Sequence, residues 1–225
     1  MFPIALVIWS LTILFDRKLV ILHQFCCFWA TQHIWVCPYW KLDIKGRKNI
    51  HWGNTYVLTS NHQSMIDIIL LYSLFRHFKW VSKAENFKIP FIGWNLMINQ
   101  YIKIDRGDRK SIIKMINDCQ RTIEKGNSIL IFPEGSRSKT GDLQLFKDGA
   151  FVIAHKTKTP IIPIVLDGTA KALPKHGIIL QGKQRLIVRI LEEVPYERFK
   201  DLTVKETSDM IKKIISDELE KIRKE

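Results

Sequence analysis

Along this chain, short apolar runs alternate with stretches in which apolar residues recur at helical spacing. Tyr56–Ser60, Lys79–Ser82, Tyr101–Ile104, Ser128–Phe132, Ile161–Leu166 and Leu186–Leu191 read as strands, each short and mostly apolar. Arg189 interrupts the last of them, and Pro133 stops the run before it at Phe132. Ile66–Phe75 and Asp148–Lys158 read as helices. Arg109–Lys125 places Ile112, Ile113, Ile116, Cys119 and Ile123 on one helical stripe, with Gly126 as its C-cap. Thr203 and Glu206 form a capping box for a final helix striped by Met210, Ile211, Ile214, Ile215, Leu219 and Ile222. Strands alternating with helices predict an α/β domain, its sheet mixed but mostly parallel and flanked by helices.

The first forty residues follow a different pattern. Met1–Phe15 carries no charge, yet it is shorter than the roughly 20 residues a membrane span requires. Leu19–Trp40 runs 22 residues without Lys, Arg, Asp or Glu, and it carries Trp29, Trp35, Tyr39 and Trp40. Aromatic residues of this kind favour the headgroup level of a bilayer. The pattern predicts an apolar two-helix membrane element over residues 1–40, turning at Asp16-Arg17-Lys18, ahead of an α/β body over residues 41–225. Two membrane arrangements stay open, a hairpin dipping into one leaflet or one or both helices crossing. The alternative is a pair of buried helices of a soluble core, a pattern that about 37 uncharged residues exceed.

Charge sharpens this division. The formal net charge is +13, of which residues 1–40 hold only +1. A basic body implies an anionic partner: nucleic acid, a phospholipid surface or a phosphorylated substrate. The apolar leader argues against nucleic acid. Cys26, Cys27, Cys37 and Cys119 form no C-x-x-C pair, so they read as apolar filler in a reducing compartment rather than as a disulfide framework or metal site.

The signatures of elbow-type serine hydrolases, zincins, P-loop NTPases and dinucleotide enzymes are absent. What remains is four blocks. The first is Asn61-His62-Gln63-Ser64-Met65-Ile66-Asp67. On one continuous helix His62 and Asp67 would sit about 140° apart. They meet only if His62 lies on the turn and Asp67 in the first helical turn, an imidazole with a carboxylate behind it, which is the geometry of a general base and its orienter. Ser64 and Asp67 also fit a capping box that merely ties down the helix start, and the two readings are compatible. The second block, Lys103-Ile104-Asp105-Arg106, ends a short strand with an arginine able to fork onto phosphate, or else forms a solvated charged loop. The third, Phe132-Pro133-Glu134-Gly135-Ser136-Arg137-Ser138, is delivered by a buried strand to a loop, at the end of the sheet where α/β folds bind ligands, or else forms a plain surface turn. The fourth is Ile161–Val165 with Pro163 inside it, an edge strand or a pocket wall.

These blocks, in this order, resemble the 1-acyl-sn-glycerol-3-phosphate acyltransferase (PlsC-like) family of glycerolipid synthesis. Its N-H-x-S-x-x-D block, the HX4D motif, is matched by Asn61, His62, Ser64 and Asp67; its arginine after a short strand by Arg106; its F-P-E-G-[ST]-R-S block by Phe132 to Ser138; its apolar strand with proline by Pro163. The spacing of roughly 40 residues from first to second block and roughly 30 to each next one also fits. The resemblance implies a membrane enzyme of phospholipid biosynthesis that moves a fatty acyl group from acyl-CoA or acyl-carrier protein to the sn-2 hydroxyl of lysophosphatidic acid, giving phosphatidic acid. It implies His62 and Asp67 as catalytic residues, and Lys103, Arg106, Glu134, Gly135, Ser136 and Arg137 around the acceptor phosphate. Asn61, Ser64, Pro133 and Pro163 would support them, with no metal and no cofactor beyond the acyl donor. The N-terminal segment would attach the chain to a phospholipid membrane, with the catalytic body on the cytoplasmic side. Relatives with similar blocks acylate glycerol-3-phosphate or other lyso-lipids. A non-catalytic protein that binds anionic membranes would explain the charge and the leader, but not the paired His/Asp and F-P-E-G-S-R-S blocks.

Overall fold

Seven strands form one sheet in the order β1-β7-β6-β2-β5-β3-β4. They are β1 Trp40–Lys45, β2 Val57–Ser60, β3 Lys79–Lys83, β4 Ile102–Ile104, β5 Ile129–Ile131, β6 Ile161–Asp167 and β7 Gln184–Ile190. The computed structural model describes residues 1–138, 140–175, 177 and 180–224. Every strand pairing is parallel except β6 with β7. The central strands β2, β5 and β6 are mostly apolar because both sheet faces are covered. Leu58, Leu130, Ile162 and Ile164 pack on one side, in a core shared with helices α2 (Val20–Trp35) and α3 (Ile66–Tyr72). Val57, Ile129, Ile131, Ile161 and Val165 pack on the other, against α5 (Arg109–Glu124), α6 (Gly149–Thr157) and α8 (Val204–Lys224). The other α-helices among the described residues are α1 (Phe2–Thr12), α4 (Ile92–Ile98) and the short α7 (Thr169–Ala172).

β1, for which the hydrophobic pattern predicts no element, is an edge strand. It alternates Trp40, Leu42 and Ile44 toward the core with Lys41, Asp43 and Lys45. It also explains the arginine in β7: Arg189 is buried and its guanidinium reaches Asp43 Oδ2 at 3.0 Å, with Arg185 at 2.7 Å on the same oxygen. Bonds from Arg189 and then Arg185 pull the Asp43 carboxyl down to about 2. Pro163 corrects the edge-strand expectation, since β6 lies inside the sheet. The proline is tolerated because the antiparallel ladder with β7 starts one residue later, at Ile164, and the Pro163 carbonyl accepts the Leu191 N–H at 3.0 Å. The capping box of α8 forms as expected: Glu206 Oε2 accepts the Thr203 N–H at 2.7 Å, and the Glu206 N–H reaches Thr203 Oγ1 at 3.2 Å.

The leader is a two-helix hairpin. Its turn is held by Asp16, whose carboxylate oxygens accept the first amide groups of α2 from Val20 and Ile21 at 2.9 and 2.7 Å. Among the described residues no helix is long and apolar enough to cross a membrane. α2 docks onto the body: Cys26, Cys27 and Ile34 enter the core beside α3, and buried His23 joins Tyr101 Oη at 2.8 Å and the Arg76 carbonyl at 3.0 Å. α1 is more exposed, with Ile4, Val7 and Leu11 at the surface, as is Leu14 in the turn after it.

Candidate active site

The carboxyl ends of β2, β5, β3 and β4 deliver the first three blocks to one edge of the sheet. β2 ends at Ser60, and residues 61–65 turn into α3, whose first turn carries Asp67. The His62 ring meets Asp67 Oδ2 through Nδ1 at 2.8 Å. The same oxygen accepts the Gln63 N–H at 2.6 Å and the Ser64 N–H at 2.8 Å. The contacts that both readings require are therefore present together: one carboxylate oxygen meets the imidazole and also ties down the helix start. Ser64 Oγ completes the cap by accepting the Ile66 N–H at 3.3 Å and donating to the Leu173 carbonyl at 2.7 Å. Asp67 is fully buried, and its Oδ1 has no hydrogen-bond partner. A carboxylate accepts at Nδ1, so in the neutral ring the proton lies there and Nε2 carries the lone pair. Among the described residues no hydrogen bond occupies Nε2.

The F-P-E-G-S-R-S loop grips this histidine from both sides. Glu134 Oε1 accepts the His62 N–H at 2.8 Å, and the Ser138 N–H donates to the His62 carbonyl at 2.8 Å. Phe132 stacks on the imidazole with ring centres 3.9 Å apart and planes 12° from parallel. Glu134 is buried, and burial pushes its carboxyl above the usual range, against hydrogen bonds from His62 and Gln144 that favour the charged form. Gln144 supplies two of those bonds, from its backbone N–H at 3.2 Å and its side-chain amide at 2.9 Å. Gly135 turns the loop at a φ of 72°, a conformation open to glycine, and its N–H is engaged by the Phe132 carbonyl at 3.0 Å. The Ser136 carbonyl accepts the Gln144 side chain. Asn61 locks the other flank: its side-chain amide pairs twice with the Leu166 backbone, both bonds at 2.8 Å, joining the histidine turn to β6.

Beside Phe132 lies a cavity of about 310 Å³ between β5, β4, α5 and α6. Val81, Ile104, Ile112, Met115 and Ile116 make its walls apolar, while Arg106, Lys147 and Gly135 stand among its lining residues and Pro133 forms part of the wall. Strand alternation puts Lys103 on the face opposite Ile102 and Ile104, exposed and outside that lining. Arg137 also lies outside it, and its carbonyl accepts Lys175 Nζ at 2.6 Å. The motifs name neither Gln144 nor Lys147. Both sit on the loop that returns from the F-P-E-G block to α6, and the Lys147 N–H is tied to the Pro133 carbonyl at 2.9 Å. Gln144 lies 10 positions after Glu134 with no strand or helix between them to mark the pairing among the described residues. All four cysteines are free; Cys26, Cys27 and Cys119 are buried, and burial pushes their thiols up.

Fold and site together define an α/β protein with an imidazole oriented by a buried carboxylate at the carboxyl edge of a mixed sheet. A sequence model of the acyltransferase family matches residues 41–167, and the chain belongs to that family. The chain is 41% identical over 180 residues to 1-acyl-sn-glycerol-3-phosphate acyltransferase BAT2, chloroplastic, of Brassica napus, covering 78% of this chain and 52% of the relative. It is 39% identical to the LPAT1 enzyme of the same name and location from Arabidopsis thaliana, over 78% of this chain and 50% of that one. It is 32% identical to the 1-acyl-sn-glycerol-3-phosphate acyltransferase of Saccharomyces cerevisiae, over 80% and 61%. The chain thus spans about half the length of the first two. The crystal structure of the 1-acyl-sn-glycerophosphate (LPA) acyltransferase PlsC from Thermotoga maritima shares the fold, with a TM-score of 0.81 over 98% of this chain and 88% of that one at 22% identity.

Proposed function

We propose that this chain is a membrane-attached O-acyltransferase that moves a fatty acyl group from acyl-CoA or acyl-carrier protein to the sn-2 hydroxyl of lysophosphatidic acid, giving phosphatidic acid. The observation that carries the reading is the His62–Asp67 pair, joined at 2.8 Å, with no hydrogen bond on Nε2 among the described residues. Nε2 takes the proton of the acceptor hydroxyl, and Asp67 stabilises the resulting imidazolium. The alkoxide oxygen attacks the thioester carbonyl. The tetrahedral intermediate collapses, the C–S bond breaks, and the departing thiolate takes its proton back from His62. No acyl-enzyme forms, in keeping with buried, high-pKa cysteines that offer no activated nucleophile beside the base.

Arg106 and Arg137 hold the acceptor phosphate, Lys147 adds a cation at the cavity, and the apolar walls suit a hydrocarbon chain. Glu134, Gly135, Ser136 and Pro133 shape that pocket and fix the His62 backbone, Asn61, Ser64 and Pro163 brace it, and Lys103 adds positive field from the neighbouring strand. Residues 1–40 attach the chain to a phospholipid membrane, the body facing the cytoplasm; free cysteines fit such a reducing compartment.

An acceptor screen tests the reading. Purified protein is given acyl-CoA and, in turn, lysophosphatidic acid, glycerol-3-phosphate, lysophosphatidylcholine and monoacylglycerol, while thiol release and lipid product are followed. The fastest turnover is expected with lysophosphatidic acid, yielding phosphatidic acid. Thiol release that no acceptor accelerates contradicts the function, and faster turnover with another acceptor reassigns the substrate.

A further inference from the structure

Residues 84–98 belong to none of the four blocks, yet they form an unusual surface. A turn leaves the carboxyl end of β3 and leads into α4, and Ile89, Phe91, Ile92, Trp94 and Met97 are all exposed. Phe91, Ile92 and Met97 show 60%, 56% and 52% of their surface to solvent. Phe91 has a φ of 62°, a conformation that bulky residues avoid. The patch continues onto α1. The Phe2 ring centre lies 6.4 Å from that of Phe91 and 5.3 Å from that of Trp94; Ile4, Val7 and Leu11 add exposed apolar side chains along α1 at helical spacing, and exposed Leu14 follows in the turn after it.

We propose that this joint face of α1 and α4 rests on the surface of an anionic phospholipid bilayer, so that the catalytic body contributes its own membrane-contact element beside the N-terminal hairpin. The inference rests on the membrane reading above and goes beyond it, since that reading used residues 1–40 alone. Charge selects the occupant. Exposed Arg17 follows the apolar run of α1 and exposed Lys88 directly precedes Ile89, while Lys18 is turned away onto the Gly126 carbonyl at 3.2 Å. The nearby acids are withdrawn, since Asp16 is buried with its carboxylate on the first amides of α2 and Glu85 is paired with Lys83 at 2.7 Å. The outward charge is therefore positive, the complement of anionic headgroups. Size and shape agree. α4 has seven residues, too few to enter deeply, and exposed Trp and Phe side chains suit the interfacial plane. Position agrees as well, because the turn into α4 starts at the sheet edge that carries His62, Glu134 and Arg106, and Arg106 lies near enough to Glu85 to feel its charge. A bilayer against this face holds the cavity mouth near headgroup depth, where a lyso-lipid presents its phosphate and hydroxyl.

The test uses the full chain and vesicles of equal parts phosphatidylcholine and phosphatidylglycerol. Combining Ile92→Ser with Met97→Ser removes two large apolar contacts and should lower the vesicle partition coefficient about tenfold or more, with an unchanged melting temperature and unchanged turnover of an acceptor presented in detergent micelles. As a guard against misfolding, Met97→Cys carrying an environment-sensitive dye should shift to the blue on adding vesicles, and the same dye at Lys213→Cys on α8 should not. If the wild type sediments with vesicles and the double variant does so equally, the α4 proposal falls and the membrane reading stands. If the wild type itself does not bind, both fall. A concentration-dependent dimer that the double substitution dissolves, with vesicle binding intact, would assign the face to a second copy and overturn the proposal.

Discussion

Asp67→Asn separates charge from geometry at the site, because the substitution leaves the shape almost unaltered. In the wild type one oxygen, Oδ2, accepts from His62 Nδ1, Gln63 N and Ser64 N at 2.6–2.8 Å, while Oδ1 is buried with no partner. Asparagine has one orientation that keeps an oxygen facing all three donors. Its NH2 group then occupies the Oδ1 position, a buried donor with nothing to bond, at a cost of about 1–3 kcal/mol. The reverse orientation aims NH2 at three donors and is worse. For a chain of this size that cost lowers the melting temperature by roughly 2–4 °C per kcal/mol. The larger effect falls on catalysis. The amide holds the imidazole but carries no charge to stabilise the imidazolium formed in the transition state. General-base assistance contributes about 10²- to 10⁴-fold, and kcat should fall by that order with KM for both substrates little changed. The assay is steady-state thiol release on the Asn variant alongside a thermal melt. A stable Asn variant that keeps kcat near wild type would refute the role given to Asp67.

Glu134→Gln should lower kcat and reduce the melting temperature by a few degrees, because whichever way the amide points it sets NH2 against the His62 N–H or against the two Gln144 donors, one unmet contact of about 1–3 kcal/mol; a melt and kcat indistinguishable from wild type would contradict the clamp. Arg106→Ala and Arg137→Ala should each lower kcat/KM for lysophosphatidic acid about tenfold or more and leave monoacylglycerol nearly unaffected, with lysine restoring only part; equal losses on both acceptors would show that neither arginine reads phosphate. Burial lowers the pKa of His23 well below its ordinary value and that of His77 to about 4, so between about pH 6.5 and about pH 4 the unfolded chain binds more protons and stability falls as pH falls. For His77 the loss is at most about 3 kcal/mol, and urea midpoints across that window should flatten in His77→Asn; an unchanged slope in the variant would sink the assignment.

How much of this was legible in the sequence varies by element. Six strands and the helices at α3, α5, α6 and α8 follow from apolar runs, helical spacing and caps, because both sheet faces are buried and the strands carry that signal directly. β1 escaped because its first residue, Trp40, closes a charge-free stretch and its remaining five alternate as an edge strand does. α4 escaped for the opposite reason: Ile92–Ile98 is apolar on its outer side as well, so no amphipathic period marks it. The leader's helices and their turn were readable, but a run without charges looks the same whether it packs on protein or on lipid, and the docking of His23 and Cys26 onto the body lies in tertiary contacts. At the site, the residues of the four blocks were named because their chemistry is compact in sequence. The clamp between Glu134 and the His62 backbone spans 72 positions, and Gln144 and Lys147 lie in loop with no period.

The most direct test of the central claim is His62→Ala, given acyl-CoA and lysophosphatidic acid. The imidazole is 11% exposed and, among the described residues, hydrogen-bonded through Nδ1 alone, so its removal leaves the Asp67 bonds to Gln63 and Ser64 in place and the chain folded. Acceptor-dependent thiol release should drop to background while circular dichroism and vesicle binding match the wild type, and no acyl group should be trapped on either protein. A folded His62→Ala variant that forms phosphatidic acid at the wild-type rate would contradict the account.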